Sequence, residues 1–80
     1  MHIVVYTKTG CPWRKNVIDF LHKYDLPYEE KNMTEHPEYM DECEKLTGQS
    51  KCPTIQIDGH WIPDGDADRL EAYLKEIGAL

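Results

Sequence analysis

The sequence predicts an α/β fold: a four-stranded mixed sheet flanked by three helices, in the order β-α-β-α-β-β-α, within a single domain spanning residues 1–80. Three observations carry this. Short β-branched runs at 3–6 and 53–62 alternate with longer stretches whose apolar residues recur at helical spacing. Glycine, proline and capping residues punctuate the boundaries between them. Finally, a chain of 80 residues buries only about 60–65% of its unfolded surface, so it must fold as compact layers with short connections.

The elements follow in order. "IVVY" at 3–6 is a buried strand that ends near Thr7 in a Thr-Lys-Thr-Gly turn. From Pro12, a residue well tolerated at the first helical position, Trp13, Val17, Ile18, Leu21 and Tyr24 form a helical stripe, which makes Cys11 the helix cap. Asp25-Leu26-Pro27 stops that helix, and "YEEKNM" at 28–33 has the length and position of a second strand, parallel to the first through a right-handed crossover. Thr34 offers a cap, Pro37 falls in a first turn, and Tyr39, Met40, Cys43 and Leu46 make an apolar stripe that Gly48 ends. "PTIQIDGHWI" reads as an antiparallel hairpin turning at Asp58-Gly59. Asp66 caps a final helix carrying Leu70, Tyr73, Leu74 and Ile77 up to Gly78.

Composition narrows the function. With 40% hydrophobic and 30% charged residues the chain has the make-up of a folded domain. A net charge of −6 argues against nucleic acid as a partner, because phosphate binding needs a clustered basic surface. Lys8, Arg14 and Lys15 nevertheless surround Cys11, giving that loop a field of opposite sign to the average. No run approaches the roughly 18–20 apolar residues of a membrane span, and no leader pattern is present. A cytoplasmic location is expected. Three cysteines in unrelated contexts fit thiols in a reducing compartment.

The chemistry centres on "YTKTGCPWRKN", residues 6–16. A helix start presents N–H groups without partners and the positive end of the helix dipole, both of which favour a thiolate. Cationic neighbours such as Lys8 and Arg14 add to this, and such settings lower a cysteine from about 8.5 into the 3.5–7.5 range. A cysteine between Gly10 and Pro12 at the carboxyl end of a strand also sits where α/β folds put ligands. Cys11 is therefore the candidate nucleophile.

"YTKTGCPW" followed by a helix, then "LTGQSKCPTIQIDG" later in the chain, resembles the glutaredoxins, with their Tyr-x-Lys-x-x-Cys-Pro-aromatic-x site and their Thr-Val-Pro segment leading into a strand and an Asp-Gly turn. The resemblance covers nearly the whole chain. It implies a thioredoxin-like fold, Cys11 as catalytic residue, and glutathione as cosubstrate. It further implies that Lys8 and Trp13 border the glutathione site and that Pro53 is a cis proline whose preceding residue, Cys52, offers its backbone to the tripeptide. Gln49 and Lys51 match the region that meets the glycine carboxylate.

The departures are specific. Arg14 stands where the family has a second cysteine, Cys52 where it has valine, and Gly65 alone represents the paired glycines before the last helix. Asp66 at that helix N-terminus suits an amino-acid head group. The stretch "DGHWIPDGDADRL" also resembles hydrogen-donor redoxins that draw electrons from thioredoxin reductase.

Arg14 cannot resolve a disulfide. It can stabilise the Cys11 thiolate or pair with a glutathione carboxylate, and reduction of a glutathionylated substrate needs only one protein thiol because a second glutathione resolves the intermediate. Cys52 has two readings: a partner of Cys11, as activating or resolving thiol or metal ligand, or a small apolar filler in place of valine. Cys43, in an apolar stripe, reads as core. The four histidines show no ligand spacing, so no metal site is expected from them. His2, His22 and His36 read as exposed, and Glu38, Asp41, Glu42 and Glu44 as the solvated face of the second helix.

The leading functional expectation is a monothiol, glutathione-dependent thiol-disulfide oxidoreductase acting through Cys11. Its partners would be glutathionylated or disulfide-containing proteins and the glutathione reductase system or thioredoxin reductase. The rival is an iron–sulfur cluster or metal carrier using Cys11 with glutathione or Cys52. The Cys-Gly-Phe-Ser motif of monothiol cluster carriers is absent. A third reading is a non-catalytic interaction module.

Overall fold

Every residue of the strand β1 (Ile3–Thr7) is buried, on both of its faces. A strand so apolar belongs at the centre of a sheet covered on two sides. The computed structural model, which describes residues 1–62 and 65–80, puts it there. β1 pairs in parallel with β2 (Glu29–Asn32) and antiparallel with β3 (Thr54–Ile57), which pairs in turn with β4 (His60–Ile62). The sheet order is β2-β1-β3-β4, and three helices complete the chain: α1 (Arg14–Lys23), α2 (Pro37–Thr47) and α3 (Ala67–Glu76). This is the predicted order of elements.

Two cores result, because alternate residues of β1 point to opposite sides. Ile3 and Val5 join Val17, Leu21, Ile55, Ile57, Leu70 and Leu74 beneath α1 and α3. Val4 and Tyr6 face Met33 and Cys43 beneath α2, where Trp61 packs 5.6 Å from the Tyr6 ring. Cys43 is fully buried, as its stripe predicted. Burial, with Glu42 adding to it, holds the Tyr6 phenol well above its ordinary range. Fully burying a side chain such as Leu70 or Leu74 is worth about 1.5–3 kcal/mol.

The hairpin turns at Asp58 (φ 48°) and Gly59 (φ 86°), two successive positive φ values of the kind that match strand twist. Several local expectations need correction. α1 begins at Arg14 and not at Pro12: the Arg14 N–H bonds back to the Cys11 carbonyl at 3.3 Å, so Cys11 to Trp13 form a tight lead-in turn and Cys11 lies ahead of the cap. Thr34 does not cap α2, whose cap residue is His36. The Asn32 side chain instead accepts from the N–H groups of Thr34 and Glu35, at 2.8 and 2.9 Å, in an Asx-type turn. Trp13 and Leu46, assigned to apolar stripes, are 58% and 56% exposed. In the expected departure "IPDGDAD", Pro63 and Asp64 lie outside the described residues. No helix among the described residues is long and apolar enough to cross a membrane.

Candidate active site

The β1–β3 register assembles the site. Tyr6 lies opposite Thr54, and the two strands run antiparallel, so the chain leaving β1 and the chain entering β3 meet at one end of the sheet. Cys11 follows the first and Cys52 precedes the second. Their Cα atoms are 6.4 Å apart and their sulfurs are joined in a disulfide. The Cys52–Pro53 peptide is cis.

Both approaches to Cys52 are braced. The Gln49 side-chain carbonyl accepts from the Lys51 N–H, and its amide donates to the Thr54 hydroxyl at 3.3 Å. That hydroxyl donates to the Lys51 carbonyl at 2.6 Å. On the far side of the proline, the Gly65 N–H donates to the Pro53 carbonyl at 3.0 Å. Gly65 is there for space: a Cβ at this position would lie 2.7 Å from Ile55 Cδ1 and 3.0 Å from the Ile62 carbonyl.

Beside the disulfide opens a cleft of about 420 Å³ lined by Trp13, Lys51, Cys52, Pro53 and Asp66. Its volume is in the range of small-ligand sites. Trp13 offers an exposed aromatic wall, and among the described residues the Cys52 backbone makes no hydrogen bond. Asp66 caps α3 by accepting from the Arg69 N–H at 2.8 Å, with its carboxylate at the rim.

Arg14 is engaged elsewhere. Its guanidinium makes a two-point pair with Glu30, at 2.5 and 2.7 Å, and Glu30 also accepts from the Thr7 hydroxyl at 2.8 Å. The cation expected beside Cys11 is thus paired with a carboxylate. Sequence reasoning missed Glu30 because its strand is polar throughout. The signal available was a pair of adjacent carboxylates, Glu29 and Glu30, on the strand paired with β1, and the sequence does not say which of them Arg14 takes. The Lys8 backbone carbonyl accepts the Cys11 N–H at 3.1 Å. Gln49, expected at a glycine carboxylate, has its amide engaged inside the loop.

The Arg14 pair, with the Thr7 hydroxyl helping, holds the Glu30 carboxyl below its ordinary value of 4.5. A carboxylate with a lowered folded-state pKa contributes stability that is present above the unfolded value and lost as pH falls toward the folded one. Stability should therefore drop in acid, below about pH 4.5, and Glu30→Gln should flatten that acid limb in urea titrations run across pH. An acid limb of equal slope in the variant would refute the assignment.

The chain matches the glutaredoxin family model over residues 3–62. It belongs to the glutaredoxin family. It is 30% identical over 74 residues to an uncharacterized glutaredoxin-like 8.6 kDa protein in the rubredoxin operon of Clostridium pasteurianum, covering 92% of this chain and 99% of that one. An uncharacterized monothiol glutaredoxin of Caenorhabditis elegans is 32% identical, and the match takes in 98% of this chain and 54% of that protein. Among solved structures, the thioredoxin-like protein BC3987 superposes with a TM-score of 0.80 at 26% identity, over 88% of this chain and 96% of that one. The glutaredoxin of E. coli superposes with a TM-score of 0.68 at 21% identity over the full length of both chains, a likeness of fold. The thioredoxin-like architecture implied by the resemblance is thereby shown. Within this glutaredoxin, no three His, Cys, Asp or Glu side chains among the described residues converge as a metal-binding group.

Proposed function

We propose that this glutaredoxin reduces glutathione mixed disulfides, with Cys11 as the attacking thiolate and glutathione as cosubstrate. One observation carries the reading: a cleft of about 420 Å³, walled by Trp13, Lys51, Pro53 and Asp66, opens directly beside the Cys11–Cys52 disulfide. The exposed Trp13 ring suits the apolar part of the tripeptide, Lys51 and Lys8 suit its carboxylates, and the Cys52 backbone suits its peptide groups. The Gly65-Asp66 corner, at the N-terminus of α3, suits the amino-acid head group.

The chemistry needs one protein thiol. The Cys11 thiolate attacks the glutathione sulfur of the mixed disulfide, the substrate thiol leaves, and a second glutathione attacks the Cys11 adduct to release glutathione disulfide. Cys11 lies just ahead of the start of α1, and the positive end of a helix dipole favours a thiolate. The expected partners are glutathionylated proteins and the glutathione reductase system, in a reducing cytoplasm that supplies glutathione. A donor of the thioredoxin reductase type is the alternative.

The test is NADPH oxidation by glutathione reductase in the presence of the protein, glutathione and a glutathione mixed disulfide. Turnover well above the uncatalysed exchange is the expected result. Turnover only when thioredoxin reductase replaces glutathione reductase would contradict the choice of glutathione.

A further inference from the structure

Resting on the reading of Cys11 as the attacking thiolate, we propose that Cys52 is the resolving cysteine of this protein, delivered by the loop before β3 and not by the turn that leads into α1. The two sulfurs are bonded and the Cα separation of 6.4 Å falls within the range that a disulfide spans without backbone movement. The loop is pinned on both sides of Cys52, by Gln49 and the Lys51 carbonyl bonding to Thr54 at the start of β3 and by Gly65 bonding to Pro53, so reduction leaves the two thiols facing each other. The position from which a dithiol site would draw its second sulfur is Arg14, tied to Glu30. Cys43 is no substitute, being fully buried in the core under α2.

The steps balance. The Cys11 thiolate attacks a substrate disulfide, one substrate sulfur leaves as a thiolate, and the other stays bonded to Cys11. The Cys52 thiolate then attacks the Cys11 sulfur, the mixed disulfide breaks, and the second substrate thiolate leaves. The substrate disulfide has gained two electrons and the protein holds the 11–52 disulfide. Two glutathiones, or one protein dithiol, reopen it by donating two electrons. Because Cys52 lines the cleft, it sits beside the sulfur that a bound adduct would present, and intramolecular attack outruns the bimolecular one. The pair widens the substrate class from glutathione adducts to protein disulfides.

The test uses fully reduced protein, one equivalent of glutathione disulfide, an acid quench, alkylation in denaturant and peptide mapping. The wild type should retain no glutathione and carry an 11–52 disulfide, with only Cys43 alkylated. Cys52→Ser and Cys52→Val should each hold one glutathione on Cys11, at about tenfold or more the wild-type level. Wild-type protein that keeps glutathione on Cys11 with an alkylatable Cys52 would overturn the proposal and leave the Cys11 reading intact. Variants with no glutathione on Cys11 would overturn both.

Discussion

Replacing Cys11 by serine abolishes turnover of a glutathione mixed disulfide, lowering the rate by about 10²-fold or more to the background of free glutathione. A serine hydroxyl cannot form the mixed disulfide, and Cys43, the one cysteine outside the 11–52 pair, is sealed in the core at 0% exposure. Cys43→Ser therefore keeps the wild-type rate wherever the variant remains folded, which circular dichroism checks. An active Cys11→Ser protein together with an inactive, folded Cys43→Ser protein would invert the assignment.

The second large effect is structural. Gly65→Ala inserts a Cβ 2.7 Å from Ile55 Cδ1 and 3.0 Å from the Ile62 carbonyl. Ile55 is fully buried and the carbonyl belongs to β4, so neither neighbour gives way freely. Overpacking of this kind costs about 1–3 kcal/mol, and each kcal/mol lowers Tm by about 4–8 °C in a domain of this size. The same displacement loosens the Gly65-to-Pro53 hydrogen bond, so KM for the mixed disulfide rises in protein that is still folded. A variant with unchanged Tm and KM would show that this corner tolerates a methyl group.

How much of this was legible in the sequence depended on whether the information was local. The order of elements was, because β-branched runs and the Asp58-Gly59 turn state it directly. Boundaries were not, where hydrogen bonds between near neighbours compete. Pro12 has the credentials of a first helical residue, yet the Arg14-to-Cys11 turn delays the helix, and Asn32 takes the Thr34 and Glu35 N–H groups on its side chain and the His36 N–H on its carbonyl, so Thr34 lies inside a turn and not at a cap. The apolar stripe of α1 included Trp13 because spacing alone does not separate a core aromatic from one standing at the rim of a cleft.

The site was legible in part. Cys11 stood out through its loop, and the cis proline through a family resemblance. The approach of Cys52 to Cys11 depends on which end of β3 lies beside which end of β1, a long-range fact that local pattern does not carry. The binding of Arg14 to Glu30 has the same origin, since it follows from the parallel pairing of β1 with β2. For Cys11 the sequence offered Cys52 as one of two readings and left the choice open, whereas for Arg14 it left the partner, Glu30, unspecified.

Whether the cleft beside the 11–52 disulfide recognises glutathione is decided by one ratio. The initial rate of reduction is measured on a peptide whose cysteine carries glutathione and on the same peptide carrying cysteamine, with glutathione as reductant in both. A ratio of about ten or more is expected, since the groups of the tripeptide that Trp13, Lys51 and the Cys52 backbone would contact are missing from cysteamine. Equal rates on the two peptides would contradict it.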